Sequence, residues 1–185
     1  TRLHVMGASR MALTAMVETS DLDHGLHKAA ISLLTKLIQG GNKSTQDGLL
    51  ELVQGASANG GNDAGEHTVA QFLPQLSSAF LQKGVPELAE RKEFVTRQRE
   101  KRSSGEVDDD IYAENSGVTE LLILLQQLCE GHHMGWQEKL RPLIGTLVKF
   151  LEHLILVLDV EHHIVNATQL CYALAELCQG PYRPN

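Results

Sequence analysis

Glu130 and Glu176 are the side chains whose type and placement could do chemistry. They lie in Leu128-Cys129-Glu130-Gly131-His132 and in Leu174-Ala175-Glu176-Leu177-Cys178-Gln179-Gly180, one and four residues before a glycine, where an apolar helical pattern stops. A carboxylate near a helix C-terminus faces the negative end of the macrodipole, a mismatch of about 0.3–1 kcal/mol. One such misfit is ordinary, whereas two in one chain suggest a cation held between converging helix ends. The ion would be a hard one such as Ca²⁺, which takes about 6–8 oxygens from carboxylates, carbonyls and water. Helix C-termini offer such carbonyls, because their last four have no partner within the helix. Two carboxylates are too few for a whole site, so water or another segment must complete it. The plain alternative is a pair of solvated carboxylates with no ligand.

Other arrangements carry less. Cys129-x-x-His132 has a spacing compatible with Zn²⁺, but no second Cys-x-x-Cys or His-x₃-His follows it. Asp108-Asp109-Asp110 opens like an EF-hand loop, yet the required glycine and closing glutamate are missing, which leaves a solvated acidic linker. There is no Gly-x-Ser-x-Gly turn, and the three cysteines, Cys129, Cys171 and Cys178, all fall on what read as apolar helix faces. Gly40-Gly41-Asn42 lacks the preceding strand and the Gly-Lys-Ser/Thr of a phosphate loop. No catalytic residues and no organic cofactor are expected, and the chain reads as a non-enzyme.

The elements that would position the two glutamates are helices. Periodic apolar positions predict helices over 8–17, over a stretch with Leu26, Ala30, Leu33, Leu34, Leu37 and Ile38, and over one with Leu49, Leu50, Leu52 and Val53. Gly40-Gly41-Asn42 is a strong helix stop. Residues 55–66, rich in Gly and Asn, predict a flexible loop. Thr68 opens a further helix carrying Phe72, Leu76 and Phe80, with Pro74 marking a kink or a later start. Residues 86–102 alternate Arg and Lys with Glu and predict a solvent-facing helix that runs into an acidic tether. A strongly apolar helix then runs through Val118, Leu121, Leu122, Leu124, Leu125 and Leu128. Helices over 134–140, 142–158 and 164–179 follow.

The expected architecture is all-α, an armadillo-like α-solenoid or an irregular helical bundle, with no fixed repeat period. The expected organisation is an N-terminal helical block over 1–102, an acidic linker over 103–114 and a second helical block over 115–185.

Composition agrees with a helical chain. Hydrophobic residues make up 42% of the 185 but aromatics only 4%, so Leu, Ala, Ile, Val and Met must build the core. A net charge of −7 argues against nucleic acid as a partner. An odd cysteine count without a framework spacing favours a reducing, cytosolic setting. No stretch reaches the roughly 18–20 apolar residues of a membrane span. The chain opens on Thr1 and closes just past a helix stop, so it is expected to be a piece of a longer protein.

Four strings in order resemble one family. Arg2-Leu3-His4-x-x-Gly7-Ala8, Leu37-Ile38-Gln39-Gly40-Gly41-Asn42, Leu128-Cys129-Glu130-Gly131-His132 with Trp136-Gln137-x-x-Leu140-Arg141, and Ala173 to Pro181 are similar to the RIH-associated region of the inositol trisphosphate receptor and ryanodine receptor family. The resemblance implies a cytosolic helical domain of a tetrameric calcium-release channel of the endoplasmic reticulum or another calcium store. In that family the two glutamates bind activating Ca²⁺ opposite a backbone carbonyl from a C-terminal domain beyond the pore. Carried over by motif, the ligands are Glu130 and Glu176, with His132 and Gln179 behind them. Leu177 and Tyr182 depart from the family's usual residues, and the connection between the glutamates is short. The alternative is an α-solenoid scaffold for protein contacts, with no metal site.

Overall fold

The computed structural model describes residues 7–19, 25–58, 71–105, 117–157 and 161–179. The described residues are all-α, and none of them forms a strand. In chain order the helices are α1 (Ala8–Glu18), α2 (Gly25–Ile38), α3 (Lys43–Ala58), α4 (Phe72–Ser78), α5 (Val85–Ser103), α6 (Val118–Cys129), α7 (Met134–Leu140), α8 (Ile144–Ile155) and α9 (Glu161–Cys178). A π-helical turn, Ala79–Gly84, joins α4 to α5, and a 3₁₀ turn, Arg141–Leu143, joins α7 to α8.

Helix α6 organises the packing. Leu121, Leu122, Leu124, Leu125, Leu128 and Cys129 are all buried, which is too wide an apolar surface for one neighbour. It is covered by α9 on one side and α2 on another, with α7 and the π turn closing the remainder. A single apolar core runs from Ala12 to Leu177, so residues of the 1–102 stretch and of the 115–185 stretch share it. Trp136 is fully buried within it, edge-on to Phe72 with ring centroids 6.1 Å apart.

Several sequence expectations need correction. The loop expected from Gly55 starts later, because α3 continues to Ala58, while 59–66 lie outside the described residues. Thr68 and the acidic stretch 106–114 also lie outside them. Leu26, assigned to the apolar face of α2, is 50% exposed, and His27 and Ile31 are buried instead. The charged helix does run over 85–103 as a mostly exposed rod, but Arg91 is buried beside Leu88. Cys171 and Cys178 are exposed, so of the cysteines only Cys129 belongs to the core.

Candidate functional site

Helix α6 stops at Cys129 because the backbone leaves helical geometry at Glu130 (φ −54°, ψ 141°). Gly131 and His132 then both adopt positive φ, 75° and 59°. The left-handed region costs glycine little but is uncommon for histidine, so the reversal is tight. The His133 amide donates back to Cys129 O at 3.1 Å, closing the turn. His133 caps α7: its Nδ1 accepts from the Trp136 amide at 3.3 Å, which leaves the ring proton on Nε2 to donate to Asp47 Oδ1 at 2.9 Å.

Two buried glutamines hold the helix ends that carry the glutamates. Gln46 Nε2 lies 2.9, 3.2 and 3.0 Å from the carbonyl oxygens of Gln127, Leu128 and Glu130. These are the carbonyls left without helical partners where α6 ends. Gln137 Nε2 donates to Glu176 O at 2.8 Å and Gln179 O at 2.6 Å, doing the same for α9. The two clamps are joined, since Trp136 Nε1 donates to Gln46 O at 2.9 Å. The Gly40-Gly41-Asn42 stop backs onto this turn. The Gly40 amide donates to Gln127 Oε1 at 3.1 Å, and a Cβ on Gly41 would sit 3.6 Å from Glu130 O.

The glutamates themselves are half-buried, and each has one oxygen fully shielded from solvent. Glu130 Oε2 and Glu176 Oε2 accept no hydrogen bond, and neither does the buried Gln137 Oε1. A buried acceptor left unmatched costs about 1–3 kcal/mol, more for a charged group, and such atoms are rare. Glu176 also bears on the neighbour of Glu130. Burial, followed by the Glu176 charge, pushes the Cys129 thiol from its ordinary 9.0 up to about 12. The thiol is therefore protonated at neutral pH, unsuited to act as a nucleophile or a Zn²⁺ ligand.

Of the four residues singled out by sequence, Glu130 offers its backbone carbonyl to Gln46, while Glu176 and Gln179 offer theirs to Gln137. The contact that Gln179 makes there uses its backbone carbonyl, while the residue itself is exposed. His132 is exposed and lines, with Glu130, Lys43, Asp47 and His133, an open cleft of about 460 Å³. The cleft carries both signs of charge, from Glu130 and Asp47 and from Lys43. Among the described residues, no group of three or more His, Cys, Asp or Glu side chains is arranged to hold a metal.

Gln46 and Gln137 were not anticipated as part of the site. For Gln46 a signal existed: Gln46, Leu49, Leu50 and Val53 fall on one helical stripe, which places an amide among core residues. Asp47 had no such signal, because its partner His133 is 86 residues away.

Comparison with known proteins finds no matching family model, no matching curated protein and no matching solved structure.

Proposed function

We propose that this chain is a regulatory helical domain of an intracellular ligand-gated calcium-release channel, giving the Glu130 and Glu176 carboxylates to an interdomain activating Ca²⁺ site. The observation that carries the reading is the pair of shielded carboxylate oxygens, Glu130 Oε2 and Glu176 Oε2, that accept no hydrogen bond. The resemblance of the four ordered strings supplies the channel context, a homotetramer at the cytoplasmic face of a calcium-store membrane.

The donor set suits a hard cation. Two carboxylates and Gln137 Oε1 provide oxygen ligands only, and the protonated Cys129 thiol adds no competing soft anion. The remaining oxygens would come from water and from the C-terminal domain of the parent channel. Ca²⁺ supplies positive charge that lets two carboxylates and a partner carbonyl share one small volume.

The chain's own residues set the response. Gln46 and Gln137 fix the backbone at the ends of α6 and α9, from which the two carboxylates project. Whatever draws the carboxylates together also acts on α6 and α9, which pack against each other along the core. Ligand-dependent opening needs only that the ion binds the open arrangement better than the closed one.

The test is single-channel recording of the full-length protein over a Ca²⁺ series. Glu130→Gln and Glu176→Gln should each raise the half-activating Ca²⁺ concentration by about tenfold or more, the loss of a charged ligand being worth at least ~1.4 kcal/mol. Unchanged activation in both variants would overturn the assignment and leave the scaffold reading.

A further inference from the structure

Helices α6 and α9 run parallel. Three pairings ascend both helices together: Thr119 with Asn166, then Gln126 with Gln169, and last Cys129 with Glu176, where burial and then the Glu176 charge raise the thiol. Thr119 and Asn166 are 47 residues apart in the chain, and so are Cys129 and Glu176, so one register holds along the length of α6. Both negative helix termini therefore lie at one end of the pair, with the Glu130 and Glu176 side chains added to them. Like charge gathered there repels, and sliding one helix along the other relieves it.

Apolar packing does not choose this register. Helix α6 buries leucine at 121, 122, 124, 125 and 128, and α9 buries Leu170, Ala173 and Leu177. A displacement of one turn, about 5.4 Å, still sets leucine against leucine. The Gln46 and Gln137 clamps bond backbone carbonyls, which every residue has, so they anchor a helix end without selecting the residue. The directional side-chain contacts do choose. Thr119 Oγ1 donates to Asn166 Oδ1, and Asn166 is only 1% exposed. Gln169 Nε2 donates to Gln126 Oε1 at 2.6 Å, but both side chains are long enough to follow a shift. Thr119 and Asn166 are short. A slide of one turn parts them and leaves a buried acceptor opposite leucine.

We propose that Thr119 and Asn166 form a register pin, positioning residues that hold α6 and α9 level so that the Glu130 and Glu176 ends meet. The register belongs to the fold alone, whereas its use in ion binding rests on the Ca²⁺ reading above. A polar pair in a helix interface is an effective way to fix register, and apolar replacements of similar volume often keep or raise stability while giving it up. Register and stability are therefore separable by mutation.

The experiment measures a distance in the metal-free chain by double electron–electron resonance. Spin labels go on native Cys178 and on Glu120→Cys in a Cys171→Ser background, and the buried Cys129 stays unlabelled. Glu120 and Cys178 are exposed, near the start of α6 and at the end of α9, so their separation reads an axial slide. The double variant Thr119→Val/Asn166→Leu should displace or split the distance distribution by about 5 Å, one helical turn. Its urea midpoint should lie at or above that of Thr119→Val alone, which strands the Asn166 acceptor. Thr119→Ser keeps the donor and should reproduce the parent distribution. An undisplaced distribution in the double variant, an equal displacement in Thr119→Ser, or a midpoint below that of Thr119→Val would overturn the pin. In the full-length channel the double variant should raise the half-activating Ca²⁺ concentration by about threefold or more, as for a site whose supporting residues are loosened. Unchanged activation there, with Glu130→Gln shifted, overturns the positioning role. Unchanged activation in both overturns the Ca²⁺ reading and leaves the pin standing on the distance measurement.

Discussion

Replacing Gln46 by methionine isolates what the glutamine clamp contributes. The side chains have similar length and volume, so Gln46→Met removes the donors without opening a cavity. The lost amide carries two protons shared among three carbonyls, those of Gln127, Leu128 and Glu130. Two net hydrogen bonds at about 1 kcal/mol each, plus the cost of leaving buried carbonyls unmatched, give about 2–4 kcal/mol. For a chain of this size that lowers Tm by about 5–15 °C. Trp136 is the only tryptophan and is buried against the Gln46 backbone, so its fluorescence reports urea unfolding from the same locus. A loss below about 0.5 kcal/mol would refute the clamp, because that is what an exposed substitution costs. An equally large loss in Gln54→Met, an exposed position on the same helix, would point to a general helix effect instead.

Two further outcomes follow from the same turn. Cys129 has its thiol held up to about 12 against an ordinary 9.0, so the fold favours the protonated form. Its contribution to stability is complete below pH about 9 and lost as pH rises toward 12, with a slope of up to about 1.4 kcal/mol per unit. Urea titrations of the wild type and Cys129→Ala between pH 8 and 11 should diverge in slope, and parallel profiles would contradict the burial argument. Gly41 sits at φ 68°, where a Cβ meets only ordinary contacts with Glu130 but the backbone is strained. Gly41→Ala should cost about 1–2 kcal/mol in chemical denaturation, and an unchanged midpoint would show that the turn relaxes freely.

Helix positions were legible where a wide apolar stripe met a firm stop. The spacing over Val118–Leu128 and the Gly40-Gly41 stop gave α6 and the end of α2 directly, and the short helix over 134–140 matches residue for residue. Gly55 misled because glycine is a weak breaker inside a helix whose other residues, such as Leu49, Leu50 and Val53, are held by the core. Arg91 misled because a long side chain can run along apolar neighbours, which composition does not reveal. The glutamates stood out through their positions at helix ends. The Gln46 and Gln137 clamps depend on pairs 84 and 39 residues apart, a separation that local patterns do not encode.

The helical stretch from Phe72 to Ser103 is continuous through the π turn, with its first half seated in the core and its last part free of it. Mechanically it is a lever. From Arg91 to Ser104 the arm is about 20 Å at 1.5 Å per residue, so a 10° tilt at the seated end swings the tip by about 3 Å. Phe150 lies 3.0 Å from where a Cβ on Gly84 would stand, and Val118 lies 3.3 Å from it, so the fulcrum presses on α8 and on the first residue of α6. A load on the exposed basic tip therefore reaches the helix whose far end carries Glu130.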